Sequence, residues 1–448
     1  MKKYILSVFV FFLIGALMAQ EKEIRMSMEE AVDYAIKNNY NNQIAANNIE
    51  AAEEKKWETT TIGLPQINGK VDYQYWLKQQ ISLIPAEVFG GMEGDFAEVV
   101  FGTKQNVNAA VTLNQLLFDG SYLVALQSAK TYLKISKQAK EKTELSTREA
   151  VINAYGNVLV AEKSIAILEN NKKILSKSLS ETEKIYENGL TELENVEQLQ
   201  ITLGNLENNL RNTIRLKNIG YQMLDIALGN VKGQKIVLTD TLENLVFQNT
   251  DLSLISKSFN IEKHIDYKMA KNNTQVNELM VKLEKSKALP SLSAFINYGV
   301  NANSESFTFF DGDQNWFDYS LLGVSLNVPI FSSFARKSRT AQAKIELENS
   351  LIQLQEVKQK LNLQTERAKS EYQLSLENYE TAKKNLNLAE RIEKKQQIKF
   401  FEGISSSFDL SQAQNQLYTQ QSNYVQSMLN VIAKKAQLET ALNIPINN

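Results

Sequence analysis

The most restrictive feature of this sequence is that it is written twice. Ala45-Ala46-Asn47-Asn48, followed by Leu64-Pro65, returns as Ala270-Lys271-Asn272-Asn273, followed by Leu289-Pro290, at one constant offset. Leu117-Phe118-Asp119-Gly120 returns as Ile330-Phe331-Ser332-Ser333, and Tyr186-Glu187-Asn188-Gly189-Leu190 as Phe400-Phe401-Glu402-Gly403-Ile404. Downstream, Asn195-Val196 matches Asp409-Leu410, and Gln198 and Gln200 match Gln412 and Gln414. An internal duplication has to be read before anything else, because missing it misreads the whole fold. The chain divides into an export signal (1–19), a first repeat (20–228), a connector (229–258) outside the long helices, and a second repeat (259–448).

Each repeat has one order: helix, strand, loop, strand, very long helix, tight turn, long helix. Ser27 with Glu30 three residues later is a capping-box pattern, and the helix it opens runs to about Thr60, before Pro65. From Ser121 to Asn188 there is no proline and one glycine, Gly156; from Ser332 to Glu402 there is neither. At about 1.5 Å per residue each stretch is roughly 100 Å of helix. Apolar residues recur at helical spacing, as in Ile165, Leu168, Leu175 and Leu179, or Leu347, Leu351, Leu354 and Leu361. The opposite faces are rich in Lys, Glu, Gln and Asn, so these helices must pack on neighbours as coiled coils. Gly189 and Gly403 read as helix-ending turn glycines.

Four stretches alternate with period two. Ile67, Val71, Tyr73 and Tyr75 oppose Asn68, Lys70, Asp72 and Gln74; Val107, Ala109, Val111 and Leu113 oppose Asn106, Asn108, Thr112 and Asn114. Leu292, Ala294, Ile296, Tyr298 and Val300 oppose Ser291, Ser293, Asn297 and Asn301; Leu322, Val324, Leu326, Val328 and Ile330 oppose Gly323, Ser325 and Asn327. Phe295 and Leu321 break the pattern on the polar side. A soluble sheet alternates too, with its apolar face on a core. A membrane barrel instead turns the apolar face to lipid and the polar face to a watery lumen. Lengths of about 10 residues suit a tilted membrane strand. Trp76, Trp316, Phe317 and Tyr319 stand at one end of their strands, where an aromatic girdle belongs. With an export signal present the barrel is the favoured reading, and Asn68, Lys70, Asp72, Asn108, Thr112, Asn297 and Ser325 then face the lumen. Four strands cannot close a barrel, and an open edge in lipid leaves backbone groups unpaired. The chain must oligomerise, and strand arithmetic allows two, three or four copies.

Composition narrows the rest. Lys2 and Lys3 precede an apolar run to Met18 and the small residue Ala19, the pattern of a cleaved signal. No later run is apolar enough for a membrane helix, so a spanning chain must span with strands. There is no cysteine, which excludes disulfides and thiolate metal sites. A net charge of −2 offers nothing to hold a nucleic-acid backbone. His264, the only histidine, has no partner that would make it a metal ligand or a base, and reads as a helix-surface residue. No constellation suits catalysis, and no cofactor is implied.

The duplicated order, the Leu-Pro that precedes each first strand, the Phe-Asp-Gly or Phe-Ser-Ser exit and the aromatic-x-x-Gly turn resemble TolC-like outer-membrane factors over essentially the whole chain after the export signal. The resemblance implies an α+β membrane protein. A long α-helical coiled-coil tunnel would cross the periplasm, and a transmembrane β-barrel would take four strands from each chain of a homotrimer. It also implies outer-membrane lipid, a periplasmic membrane-fusion adaptor and an inner-membrane transporter as partners. The family closes its tunnel at the periplasmic tip. By position Phe400 matches the tip aromatic, Gly403 the turn glycine and Asp409 an acidic residue at the constriction, with Gly189 and Asn195 their counterparts in the first repeat. Gln412 stands where some relatives have a second acid, and Ser405 where a relative has an arginine that helps lock the tip. The competing reading of Asp409 is a solvated first-turn carboxylate favoured by the helix dipole. The function implied is a passive exit duct for small molecules. Ducts for type I protein secretion or metal-ion efflux, and an envelope-bridging coiled-coil protein, remain alternatives.

Overall fold

A computed structural model describes residues 22–229 and 234–444. The expected export signal (1–19), the start of the first repeat, connector residues 230–233 and the last four residues lie outside them. In chain order the elements are β1 (Lys22–Met26), α1 (Met28–Asn38), α2 (Tyr40–Thr61), β2 (Gln66–Tyr75), β3 (Ile81–Pro85), β4 (Phe96–Val100), β5 (Gln105–Phe118), α3 (Gly120–Glu187) and α4 (Leu193–Leu228). The connector holds β6 (Gln234–Leu238), α5 (Leu242–Asn249) and α6 (Ser253–Ser256). The second repeat adds α7 (Ile265–Ser286), β7 (Ser291–Ser304), β8 (Trp316–Asn327), α8 (Ala335–Phe401) and α9 (Ser407–Ala441).

The chain forms two compact units that cut across the repeats. One takes Ile135–Lys271 with the described residues up to Ile49 and from Gln353; the other takes Glu50–Lys134 and Asn272–Ile352. The first unit is helical around one small parallel sheet of β1 and β6. Its core gathers Val151, Tyr155 and Val158 of α3, Leu224 and Leu228 of α4, Tyr372 of α8, and Met428, Val431 and Ile432 of α9. Two buried tyrosines anchor the connector there. The Tyr155 hydroxyl lies 3.0 Å from both Met26 O and Asp240 Oδ2, and Tyr372 donates to Asn249 O at 2.7 Å while accepting from Asp251 N–H at 2.9 Å. The core also explains a departure from the sequence reading. One window of α3 is apolar and long enough to cross a membrane, but 44% of it is buried inside the protein.

The second unit is built on a four-stranded antiparallel sheet in the order β2-β5-β7-β8. It joins the two strands of one repeat to those of the other through β5 and β7. The expected helix from Ser27 to Thr60 is broken at Asn39, whose backbone is extended. There the Asn39 amide donates to Ala227 O at 2.9 Å and its Oδ1 accepts from Asn41 N–H at 2.9 Å. The capping box of Ser27 and Glu30 is present. The fourth strand stops at Asn327, short of Val328 and Ile330. Pro329 has no N–H to give the ladder, and Arg336 takes the carbonyls of Pro329 and Ile330 instead. The loop after β2 contains the hairpin of β3 and β4, which alternation over the first repeat did not reveal.

Candidate functional site

Register decides which residues share a face. Directly paired positions point the same way, and many pairings in the middle of the sheet match like with like. Ile67 pairs with Leu113, Leu113 with Ile296, and Ile296 with Leu322. Val71, Ala109 and Val300 continue that side, as do Val111 with Tyr298 and Ala294 with Val324. On the other side Asn68 pairs with Thr112 and Thr112 with Asn297, Asp72 with Asn108 and Asn108 with Asn301, while Ser293 pairs with Ser325. The polar side chains bond across the strands. Asn297 donates to Thr112 at 2.7 Å and Asn106 reaches Asn301 and Asn303, while along β2 itself Lys70 pairs with Asp72 at 2.9 Å. The apolar side is exposed: Val71, Val324 and Leu322 are 72%, 66% and 72% accessible. The outer edges of β2 and β8 have no strand partner among the described residues.

Trp76, Trp316, Phe317 and Tyr319 share one end of this sheet but not one face. Trp76 follows β2 and donates its N–H to Lys104 O at 2.8 Å, and Trp316 pairs with Ala302 on the apolar side. Phe317 pairs with Asn301 and Tyr319 with Gly299, on the amide-rich side. The Tyr319 hydroxyl donates to Asn108 at 2.9 Å. A Cβ on Gly299 would stand 2.6 Å from the Tyr319 ring, and one on Gly323 would stand 2.4 Å from Phe295, so both rings lie on the sheet over a glycine. That contact accommodates Phe295, which alternation alone left on the wrong side.

The turns after the two longest helices are built alike. Gly189 and Gly403 both have φ +70. Gly189 N–H donates to Tyr186 O and Leu190 N–H to Ile185 O, and Gly403 and Ile404 make the same pair of bonds to Phe400 and Lys399. This is the Schellman ending, in which a left-handed glycine lets the last carbonyls find donors. Beyond the turns the equivalent residues Asn195 and Asp409 differ. Asn195 Oδ1 accepts from Ser407 N–H at 3.2 Å, tying the start of α4 to that of α9. Asp409 completes a capping box instead. Its Oδ2 accepts from the Ser406 hydroxyl at 2.8 Å, from Ser406 N–H at 3.2 Å and from the Ser405 hydroxyl at 3.2 Å. The Ser406 bonds, with smaller help from Ser405 and Lys399, hold the Asp409 carboxyl below the usual carboxylate range. Asp409 and Gln412 are exposed. Leu175, Leu199, Leu206 and Leu410 form a small buried cluster here, with Phe400 against it.

His264 departs from its expected surface position. It is 4% exposed, and its Nδ1 accepts from Asp266 N–H at 3.2 Å, so it caps the start of α7. Burial pushes its pKa down, opposed mainly by the nearby Asp266 charge. Asp119 likewise caps α3, accepting from Ser121 and Tyr122 N–H at 2.6 and 3.1 Å. Among the described residues no group of His, Cys, Asp and Glu is placed to hold a metal.

The fold is that of outer-membrane channel proteins. CusC superposes with a TM-score of 0.73 at 15% identity, covering 93% of this chain and 92% of CusC. VceC of Vibrio cholerae gives 0.70 at 14% identity over 94% and 97%, and the Campylobacter jejuni CmeC channel 0.70 at 15% identity over 93% and 85%. In sequence, the outer membrane protein TolC of Vibrio cholerae serotype O1 is 25% identical over 251 residues, 53% of this chain and 54% of TolC. The match thus spans about half the length of that curated relative. The pattern of the outer membrane efflux protein family matches residues 31–230 and 262–443, both repeats, and the chain belongs to that family.

Proposed function

We propose that this chain is the outer-membrane subunit of a tripartite efflux pump, a passive export duct for small molecules that catalyses no reaction. The observation that carries the reading is a sheet with one apolar face, one amide-rich face and two open edges. Three copies joined at β2 and β8 close a barrel in which no backbone group is left unpaired in lipid. Val111 and Val324 then face lipid, while Asn68, Lys70, Asp72, Asn108, Thr112, Asn297 and Ser325 face water. Trp76 and Trp316 stand at the membrane boundary, and Phe317 and Tyr319 line the mouth. Turns carrying Gly189, Phe400, Gly403 and Ser405 form the periplasmic tip. There three copies of Asp409 ring the axis beside Gln412 and Asn195. A periplasmic membrane-fusion adaptor and an inner-membrane transporter complete the pump and supply its energy. Native mass measurement of the detergent-solubilised protein tests the assembly: three copies are expected, and a stable monomer overturns the barrel.

A further inference from the structure

At the end of the sheet opposite its junctions with the helices, the β7–β8 loop (305–315) folds back over the apolar side. Phe307 and Phe309 meet the Tyr73 ring edge to face, with centroids 5.9 and 6.0 Å away, and Phe307 lies 5.6 and 5.9 Å from Phe309 and Phe310. Tyr73 stands on the apolar side of β2, paired with Val107, which pairs in turn with Ala302. Its hydroxyl donates to Gln105 Oε1 at 3.1 Å, and Gln105, Ala302 and Phe309 are all buried. Hydrogen bonds fix the loop in this pose. The Ser304 and Thr308 hydroxyls lie 2.8 Å apart, the Thr308 hydroxyl donates to Gln314 Oε1 at 2.7 Å, and Asp311 N–H donates to Thr308 O at 2.9 Å. Phe309 is enclosed by this packing, but Phe307 and Phe310 remain 61% and 90% exposed. A lone apolar residue on a surface is ordinary; neighbouring rings held out on a hydrogen-bonded scaffold, continuous with an apolar sheet face, mark a contact surface.

We propose that this loop is a lipid-binding platform, with Phe307 and Phe310 inserted among the acyl chains at the outer boundary of the membrane. Height along the strands supports that depth. On β7 the apolar side runs from Leu292 to Val300, about 27 Å of strand at about 3.4 Å per residue. A barrel tilt of about 40° reduces this to about 21 Å, and brings the level of Ala302 and Tyr73 to about 26 Å, the edge of the roughly 25 Å apolar band of a membrane barrel. Asp318 marks the same limit. It is the only charged residue on that side of the four strands, and it is exposed and pairs with Val300. The loop rings therefore stand just beyond the hydrocarbon, at the depth where aromatic side chains anchor membrane proteins. A second copy of the chain is less suited to cover them. A strand added at β2 lies in the plane of the sheet, along its hydrogen bonds, whereas these rings stand off its face.

The platform rests on the lipid-facing reading of the sheet, and one experiment separates the two. Because the chain has no cysteine, a single nitroxide label can be attached at a chosen position. Phe310→Cys and Val324→Cys, each spin-labelled in the full chain, are reconstituted in phosphatidylcholine vesicles. Collisions of the label with oxygen, which concentrates in hydrocarbon, are compared with collisions with a neutral nickel chelate, which stays in water. At Val324, in the middle of the apolar face, oxygen should dominate strongly. At Phe310 oxygen should still exceed nickel, by a smaller ratio, because the ring lies at the boundary. In detergent-free buffer fragments of the lipid phase are gone, so the comparison is made only in intact vesicles. A label at Phe310 that favours nickel while Val324 favours oxygen overturns the platform and leaves the duct standing. Nickel dominating at Val324 removes the lipid-facing side itself, and the platform with it. A label at Phe310 that is immobilised and shielded from both reagents assigns the ring to a neighbouring copy, and overturns the lipid assignment.

Discussion

Asp409 has two jobs in this reading, and they separate under mutation. The cap is local: three hydrogen bonds from Ser405 and Ser406 converge on one carboxylate oxygen. The ring is collective, because like charges on a narrow wall focus a potential that draws cations and repels anions. Asp409→Asn keeps an acceptor oxygen for the cap and removes the charge. It should reduce cation selectivity in planar-bilayer conductance while leaving the melting temperature nearly unchanged; an unmoved reversal potential would remove Asp409 from the gate. The carboxyl is held low, so in the wild type both cap and charge persist as pH falls past about 3.9, and fail only through the lowered value. The turn glycines and the carboxylate beside them could be read from the aromatic-x-x-Gly repeat. The role of Asn195 could not, since its partner, Ser407, lies in the other repeat.

At the scale of the strand, the two faces of the sheet predict opposite tolerances. A lysine at Val111 or Val324, in the middle of the apolar side, should impair assembly by about 2–4 kcal/mol, the cost of such a charge at a barrel midplane. The same change at Asn108 or Ser325 should be tolerated, because those positions pair with Asp72, Asn301 and Ser293 on the amide-rich side. Recovery of trimer from detergent reads the difference, and equal damage on both faces would argue for a soluble sheet. Period-two alternation made these faces legible, since neighbouring residues in a strand point to opposite sides whatever the strand pairs with. It could not place Phe317 and Tyr319, whose side follows from pairing with Asn301 and Gly299. It also ran the fourth strand past Pro329, where the ladder has no donor.

For the whole molecule, strands that span a membrane should make the protein integral to it. After fractionation the chain should stay in the outer membrane through high salt and alkaline wash, whereas a coiled-coil tether without a barrel would be released. The sequence by itself determined the duplication, the long proline-free helices, the two-faced strands and the turn glycines. These follow from local rules of spacing, capping and backbone freedom. Only the tertiary structure decided what distant segments do to one another. His264 is buried because the chain around Phe259, Ile261 and Asn443 closes over it, with Asn443 capping Ile265 N–H at 2.9 Å. Asn39 breaks a helix whose local propensity would continue, because Ala227 O accepts its side-chain amide. Gln414, matched in the sequence only to Gln200, becomes a buried carboxamide once the long helices pack. Each depends on which surfaces meet across long stretches of chain, and no local pattern encodes such a meeting, because burial and partnership belong to the pair of segments and not to either one.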